Sequence, residues 1–154
     1  MGHYTVGMAA SPSTVDPLAL ERQVCFALVA ASRSVVALYR PVLEPMGLTH
    51  PQYLVMLALW ESDPRSLREL SELLRLDPGT LSPLVKRLER SGLVSRGRDT
   101  EDERLLSLTL TAAGRALRAE AEKVPAQVVE RLGLPMSDLE HLNAVLTRVI
   151  AAAT

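Results

Sequence analysis

Ser66 to Thr111 reads SLRELSELLRLDPGTLSPLVKRLERSGLVSRGRDTEDERLLSLTLT, and its punctuation decides the fold. Ser66 with Glu69 has the spacing of a capping box and opens a helix to about Leu74. Leu76-Asp77-Pro78-Gly79 makes a turn. The next helix starts near Thr80, so that Pro83 falls in its first turn, where a missing N–H has no partner to lose. It runs to about Arg90, and Ser91-Gly92 terminates it. Leu93 to Arg98 and Leu105 to Thr111 read as strands. In the second, Leu106, Leu108 and Leu110 alternate with Ser107 and Thr109, which predicts one buried face. Residues 99–104 between them form a charged hairpin loop.

Helix, turn, helix, strand, charged loop, strand is the order of a winged helix-turn-helix, whose second helix enters a DNA major groove. The expected fold is therefore mostly α with a small β-wing. A helix used this way carries short hydroxyls near its start and long cations further along its exposed face. Thr80, Ser82, Lys86 and Arg87 supply them, while Leu81, Leu84, Val85 and Leu88 can face inward. Arg96 and Arg98 follow on the first strand. From Gly79 to Arg98 there are five cations and one anion, Glu89, although the whole chain has a net charge of −1. Such a patch suits a phosphate backbone. Hydroxyls and cations meet phosphates as readily as bases, so the individual roles stay open. Arg104 in the loop can enter a narrow minor groove, with Asp102 orienting its guanidinium. The plainer reading is a loop that solubilises a strand edge.

Elsewhere the composition points the same way. Apolar residues make up 47% of the 154, but aromatic residues only 3%, so the core is aliphatic and favours helices. No uninterrupted apolar run approaches the ~20 residues of a membrane span. The N-terminus lacks a secretory pattern, and one cysteine makes no internal disulfide, so a cytoplasmic location without membrane partners is expected. Residues 1–16 read as a loose arm. Residues 17–154 read as one domain, with 17–45 and 112–154 as dimerisation helices around a DNA-binding region at 51–111.

Within the first of these, Pro17 suits a first helical turn and Pro41 ends the helix. Its apolar positions require burial on more than one side, which a small domain does not offer. Thr49 and Gln52 form a second capping box, opening a helix to about 62 that Asp63-Pro64 stops. Thr111 caps a helix to about Leu132, and Ser137 with Glu140 opens a last one at 138–152. A single reading helix binds weakly. A homodimer on double-stranded operator DNA, with half-sites about one turn apart, is the expected assembly.

Cys25 is the only cysteine. On a helical wheel Val29, Ser32 and Tyr39 share its face. It lies some eight residues into its helix, too far for much help from the helix dipole. Tyr39 is 14 residues away, about 21 Å along a straight helix, so it reaches Cys25 only of a second subunit. An unpaired cysteine is also a common small core residue. His3, His50 and His141 show no ligand spacing, so no metal or other cofactor is expected, and nothing supports a catalytic triad.

These residues resemble the MarR-type regulators, and within them the organic-hydroperoxide-sensing branch. The likeness extends from about Gln23 to Leu117. It is carried by Val24-Cys25-Phe26-Ala27-Leu28, Gly47-Leu48-Thr49-His50-Pro51-Gln52-Tyr53-Leu54, Leu59-Trp60-Glu61, Leu76-Asp77-Pro78-Gly79-Thr80-Leu81-Ser82-Pro83-Leu84 and Glu101-Asp102-Glu103-Arg104. The resemblance implies a dimeric repressor whose cysteine, here Cys25, is oxidised to sulfenate by an organic hydroperoxide, releasing DNA. That branch holds its thiol with tyrosines, some from the other subunit. Tyr39 stands at one such position, but Val29 and His50 stand where the branch usually has tyrosine. Val29 donates no hydrogen bond. His50 can, and as a cation it would favour the thiolate. Arg33 matches a position often basic in the branch.

With no second cysteine, the sulfenate would be trapped by a low-molecular-weight thiol as a mixed disulfide, or oxidised irreversibly. This is the one-cysteine type. Two other readings are open. One is a repressor released by a phenolic or other small ligand, with Cys25 structural. The other is a thiol peroxidase, which would need a resolving thiol and leaves 66–111 unexplained.

Overall fold

The computed structural model describes residues 16–98 and 106–154. The loop with Asp102 and Arg104, and the arm through residue 15, lie outside the described residues. The chain divides into two units, residues 1–35 and residues 36–154.

The first unit holds a 3-10 turn at Leu20–Arg22 and the start of α1, which spans Val24–Leu43. Pro17 precedes both, so it does not open a helix. Nor does Pro41 close one: it sits in the last turn of α1, two residues before the end. Its cost falls on the turn before it, where the missing N–H leaves the Ala37 carbonyl without its i+4 partner. By length and overall composition the stretch Val24–Met46 passes for a membrane span, but Arg33, Arg40 and Glu44 interrupt it, so no uninterrupted apolar run of that length is present there. Of α1, Val42 and Leu43 are buried; Val24, Phe26, Val29 and Val36 are exposed. One chain does not supply the burial that α1 calls for.

In the second unit a 3-10 turn at Glu44–Met46 ends at Gly47, whose φ of 69° suits glycine. α2 spans His50–Glu61. Its capping box is complete: the Thr49 N–H donates to Gln52 Oε1 (2.9 Å) and the Gln52 N–H to Thr49 Oγ1 (3.4 Å). β1, Arg65–Ser66, is a strand too short to show alternation, and the sequence reading missed it. α3 spans Leu67–Leu74. Ser66 caps it, but Glu69 does not reach back; it pairs with Arg65 at 2.9 Å.

α4 spans Pro78–Arg90, two residues longer at its start than expected. Pro83 is therefore interior, and the N–H that would have bonded the Gly79 carbonyl is absent. β2, Val94–Arg98, and β3, Leu106–Leu110, pair antiparallel, with Val94 opposite Leu110 and Arg98 opposite Leu106. β1 joins the other edge of β3, giving the order β1-β3-β2. The alternation in β3 holds for Leu108 and Leu110 but not for Leu106, which is 45% exposed, nor for Ser107, which is buried. Leu106 lies at the outer end of the ladder, where no element among the described residues covers it.

The expected helix from Thr111 to Leu132 is two: α5, Ala112–Ala121, and α6, Val124–Leu132. Pro125 is the second residue of α6, where a proline is tolerated. α7 spans Met136–Ala153 after Pro135, with no side-chain cap, so Ser137 and Glu140 do not form the box their spacing suggests.

The core of this unit is aliphatic. Val55, Met56 and Leu59 of α2 meet Leu70, Leu81, Val85, Leu88 and Leu108, all essentially without solvent access. Truncating one such leucine to alanine typically costs about 2–5 kcal/mol. α5 begins at a close approach: a Cβ on Gly114 would stand 2.1 Å from the Leu93 carbonyl oxygen. The Trp60 indole N–H donates to the Gly114 carbonyl at 2.9 Å. Gly114→Ala is therefore expected to destabilise the protein by ~3 kcal/mol, as overpacking against rigid backbone does at its upper end. Urea unfolding would measure it, and a loss under about 0.5 kcal/mol, the scale of a neutral surface change, would contradict the packing.

Candidate functional site

α4 opens on Asp77, whose side chain caps it. Asp77 Oδ1 accepts from the Thr80 N–H (2.9 Å), and Oδ2 accepts from the Thr80 hydroxyl (3.0 Å). These bonds, the backbone one first, hold the Asp77 carboxyl below the usual carboxylate range. Leu81, Leu84, Val85 and Leu88 are buried, as the sequence predicts. Thr80, Lys86, Arg87 and Arg90 are exposed on the opposite face. Ser82 is half-buried and borders a cavity of about 450 Å³ lined also by Leu67, Ser71, Pro78 and Arg96.

Arg96 and Arg98 differ. Arg98 is exposed at the outer end of β2. Arg96 is half-buried and stands 2.6 Å from Glu89, a charge contact without the geometry of a hydrogen bond. It ties β2 to α4. Glu89, the lone anion of the basic stretch, is thereby accounted for as a brace, a role sequence reading did not give it.

Of the residues the sequence analysis assigns to the thiol's surroundings, Tyr39 and His50 come together. Their rings meet edge-on with centroids 4.8 Å apart, and Tyr53 joins at 5.9 Å from Tyr39. Such edge-to-face pairs are favourable. Tyr53 went unread, yet its three-residue spacing from His50 puts both on one face of α2. A cavity of about 420 Å³, lined by Val36, Arg40, Glu44, Leu48, Thr49 and His50, opens beside them. Burial lowers the His50 pKa from its ordinary 6.5. Burial thus disfavours the cationic form considered above. Burial raises the Tyr53 phenol, with Tyr39 adding to it.

Cys25 and Ser32 belong to the first unit, and both are exposed. Because α1 begins at Val24, Cys25 is its second residue rather than about its eighth. Unsatisfied N–H groups of a first turn favour a negatively charged side chain. Val29, on the same face, is exposed as well.

Residues 48–106 match the model of the MarR family. An organic hydroperoxide resistance transcriptional regulator of Bacillus subtilis (strain 168) is 39% identical over 131 residues, covering 85% of this chain and 89% of that one. This chain belongs to the MarR family. Among solved structures, reduced AbfR bound to DNA, a protein of Staphylococcus epidermidis, superposes with a TM-score of 0.70 at 34% identity, covering 87% of this chain and 94% of that one. BpsR of Bordetella bronchiseptica, whose DNA binding is regulated by 6-hydroxynicotinic acid, gives a TM-score of 0.78 at 26% identity, over 87% and 97% of the two chains. The protein is a DNA-binding transcriptional regulator with a winged-helix fold, and not an enzyme.

The lowered His50 pKa fixes a sign. The folded state binds its proton less tightly than the unfolded chain, so His50 lowers stability as pH falls through the unfolded value near 6.5. Thermal melting should drop between pH 7.5 and pH 5.5, and the drop should shrink in His50→Gln. Equal pH dependence in both proteins would refute the assignment.

Proposed function

We propose that the protein is a homodimeric repressor that releases its operator when an organic hydroperoxide oxidises Cys25. The likeness to the hydroperoxide resistance regulator carries this reading. The position of Cys25 in the first turn of α1 supports it, as does the paired Tyr39 and His50 cluster. The Cys25 thiolate attacks the terminal oxygen of the hydroperoxide. The O–O bond breaks, an S–O bond forms, and an alcohol leaves after taking up a proton. The resulting sulfenic acid condenses with a low-molecular-weight thiol, losing water and giving a mixed disulfide. AbfR has been solved reduced on DNA, overoxidised on DNA, and with a disulfide formed. By analogy with the overoxidised form on DNA, added charge on the sulfur alone does not release this protein, and release is assigned to the mixed disulfide.

In the dimer, α1 and α7 bury the apolar residues that one chain leaves exposed, among them Phe26, Val29, Leu142 and Ile150. Fourteen residues separate Cys25 from Tyr39, about 21 Å along a helix, so each thiol is served by the partner's Tyr39 and His50. Val29 supplies packing there and no hydrogen bond. α4 enters the major groove with Thr80 and Ser82 toward bases or backbone and with Lys86 and Arg87 on phosphates; Arg98 and the loop residues Asp102 and Arg104 serve the neighbouring minor groove. Operator DNA places the protein in the cytoplasm. A second reading, release by a small aromatic acid with Cys25 structural, is favoured by the likeness to BpsR and by the cavity beside His50.

Binding to DNA from the chain's own upstream region decides between them. About one equivalent of an organic hydroperoxide with a small thiol should abolish binding, and a dithiol reductant should restore it. Cys25→Ser should bind as tightly as the parent and ignore the oxidant. Release of Cys25→Ser by oxidant would defeat the proposal, and release by an aromatic acid alone would favour the second reading. Lys86→Ala and Arg87→Ala should each weaken binding across all sequences and reduce the slope of log affinity against log salt by about 1. A slope left unchanged by both would remove α4 from the phosphate backbone.

A further inference from the structure

The segment before α1 folds on itself yet buries nothing. The Gln23 side-chain amide donates to the Pro17 carbonyl (2.9 Å) and to the Ala19 carbonyl (3.1 Å), closing a knob around the 3-10 turn at Leu20–Arg22. That turn has no buried residue, and Leu20 and Val24 are 63% and 67% exposed. Fixing backbone costs free energy that burial normally offsets, so such a knob calls for a seat.

The cavity of about 420 Å³ beside His50 has the features of one. Val36, Arg40 and Glu44 line one side of it, with Leu48 and Pro51 on another. Arg40 and Glu44 have the spacing at which helical charges pair. α1 ends between them, at Leu43, and neither forms an ion pair with a described residue. Glu21 and Arg22 on the knob are both exposed and likewise form none.

A two-fold pair brings knob and cavity together. Cys25 and Tyr39 are about 21 Å apart along α1. When each Cys25 meets the partner's Tyr39, the two α1 helices run antiparallel, because contacts across a two-fold axis are reciprocal. A residue some way before Cys25 then faces the residue equally far beyond the partner's Tyr39. Val24 faces the partner's Arg40, and Leu20 faces the partner's Glu44. At that register Glu21 comes to a cation of the other chain and Arg22 to an anion.

We propose that the cavity is a socket for the partner's Leu20 and Val24, flanked by ion pairs of Arg40 with the partner's Glu21 and of Glu44 with the partner's Arg22. This rests on the reading that each thiol is served by the partner's Tyr39 and His50, and it supplies that arrangement with an anchor. The knob directly precedes Cys25, so seating it fixes the thiol against the aromatic cluster. Exposed ion pairs add little strength, but they specify which surfaces meet. The occupant of the cavity is a second copy of this chain.

Disulfide trapping in the full-length protein tests the register, read on a gel run without reductant after mild oxidation. In a Cys25→Ser background, Val24→Cys together with Arg40→Cys should give a covalent dimer, and either change alone should not. Native Cys25 with His50→Cys tests the underlying dimer reading by the same assay. Charge exchange tests the flanks. Glu21→Arg and Arg40→Glu should each slow the loss of the Cys25 thiol to an organic hydroperoxide by about 5-fold, the scale of one exposed ion pair. The double variant should recover the parent rate.

A dimer trapped through positions 25 and 50 but not through 24 and 40 would overturn the proposal, leaving the cavity to a small ligand and the dimer reading intact. A trapped dimer with neither pair would remove the dimer reading, and this inference with it. A double variant as slow as the single ones would overturn the ion pairs and the socket they specify.

Discussion

Gly114 approaches the Leu93 carbonyl so closely that no side chain fits between them, and the architecture of the DNA-binding unit is organised around that contact. Leu93 follows directly on the end of α4, where its N–H closes on the Leu88 carbonyl. Its carbonyl takes the Thr111 N–H, and the Thr111 hydroxyl donates to the Gly92 carbonyl at 2.6 Å while accepting from the Gly114 N–H. Trp60 of α2 then bonds the Gly114 carbonyl. The end of α4, the end of β3, the start of α5 and the end of α2 thus meet at backbone groups, joined by the Thr111 and Trp60 side chains. Backbone contacts of this kind leave little slack, because each buried N–H or C=O given up costs about 1–3 kcal/mol.

Local chemistry explains which parts of this were legible beforehand. Thr49 with Gln52, and Ser66 ahead of a helix, act through neighbours in the chain, and a residue pattern records them directly; Asp77 reads as a turn residue and proves to be the cap of α4. The inward leucines of α4 follow from period alone. What escaped depends on atoms distant in sequence. β1 is a strand only because β3 lies beside it. Leu106 is exposed although its alternation matches Leu108, since the ladder ends there. Pro125 divides one apparent helix into α5 and α6 because α6 starts one residue before it. Two of the proline readings failed for one reason: Pro41 and Pro83 were assigned to helix boundaries, and both are housed inside helices, near the end of α1 and in the middle of α4.

The candidate site divides in the same way. The reading helix and its cations were visible as a run of residue types. The lowered pKa of His50 was not, because it comes from burial in the folded chain, with Tyr39 of another helix against its ring. Cys25 changed its setting when the first helical stretch proved to be a 3-10 turn followed by α1. A shift of a few residues in a helix start moves a side chain from mid-helix into the first turn, and so changes the electrostatic field it feels.

The brace between Arg96 and Glu89 has a mechanical meaning. It fastens the wing to the reading helix across their shared edge, and partial burial shields it from salt. α4 and β2 are then held at a fixed angle, so Lys86 and Arg87 on the one and Arg98 on the other keep their spacing as a unit. A surface fixed in this way loses little conformational freedom when something docks on it.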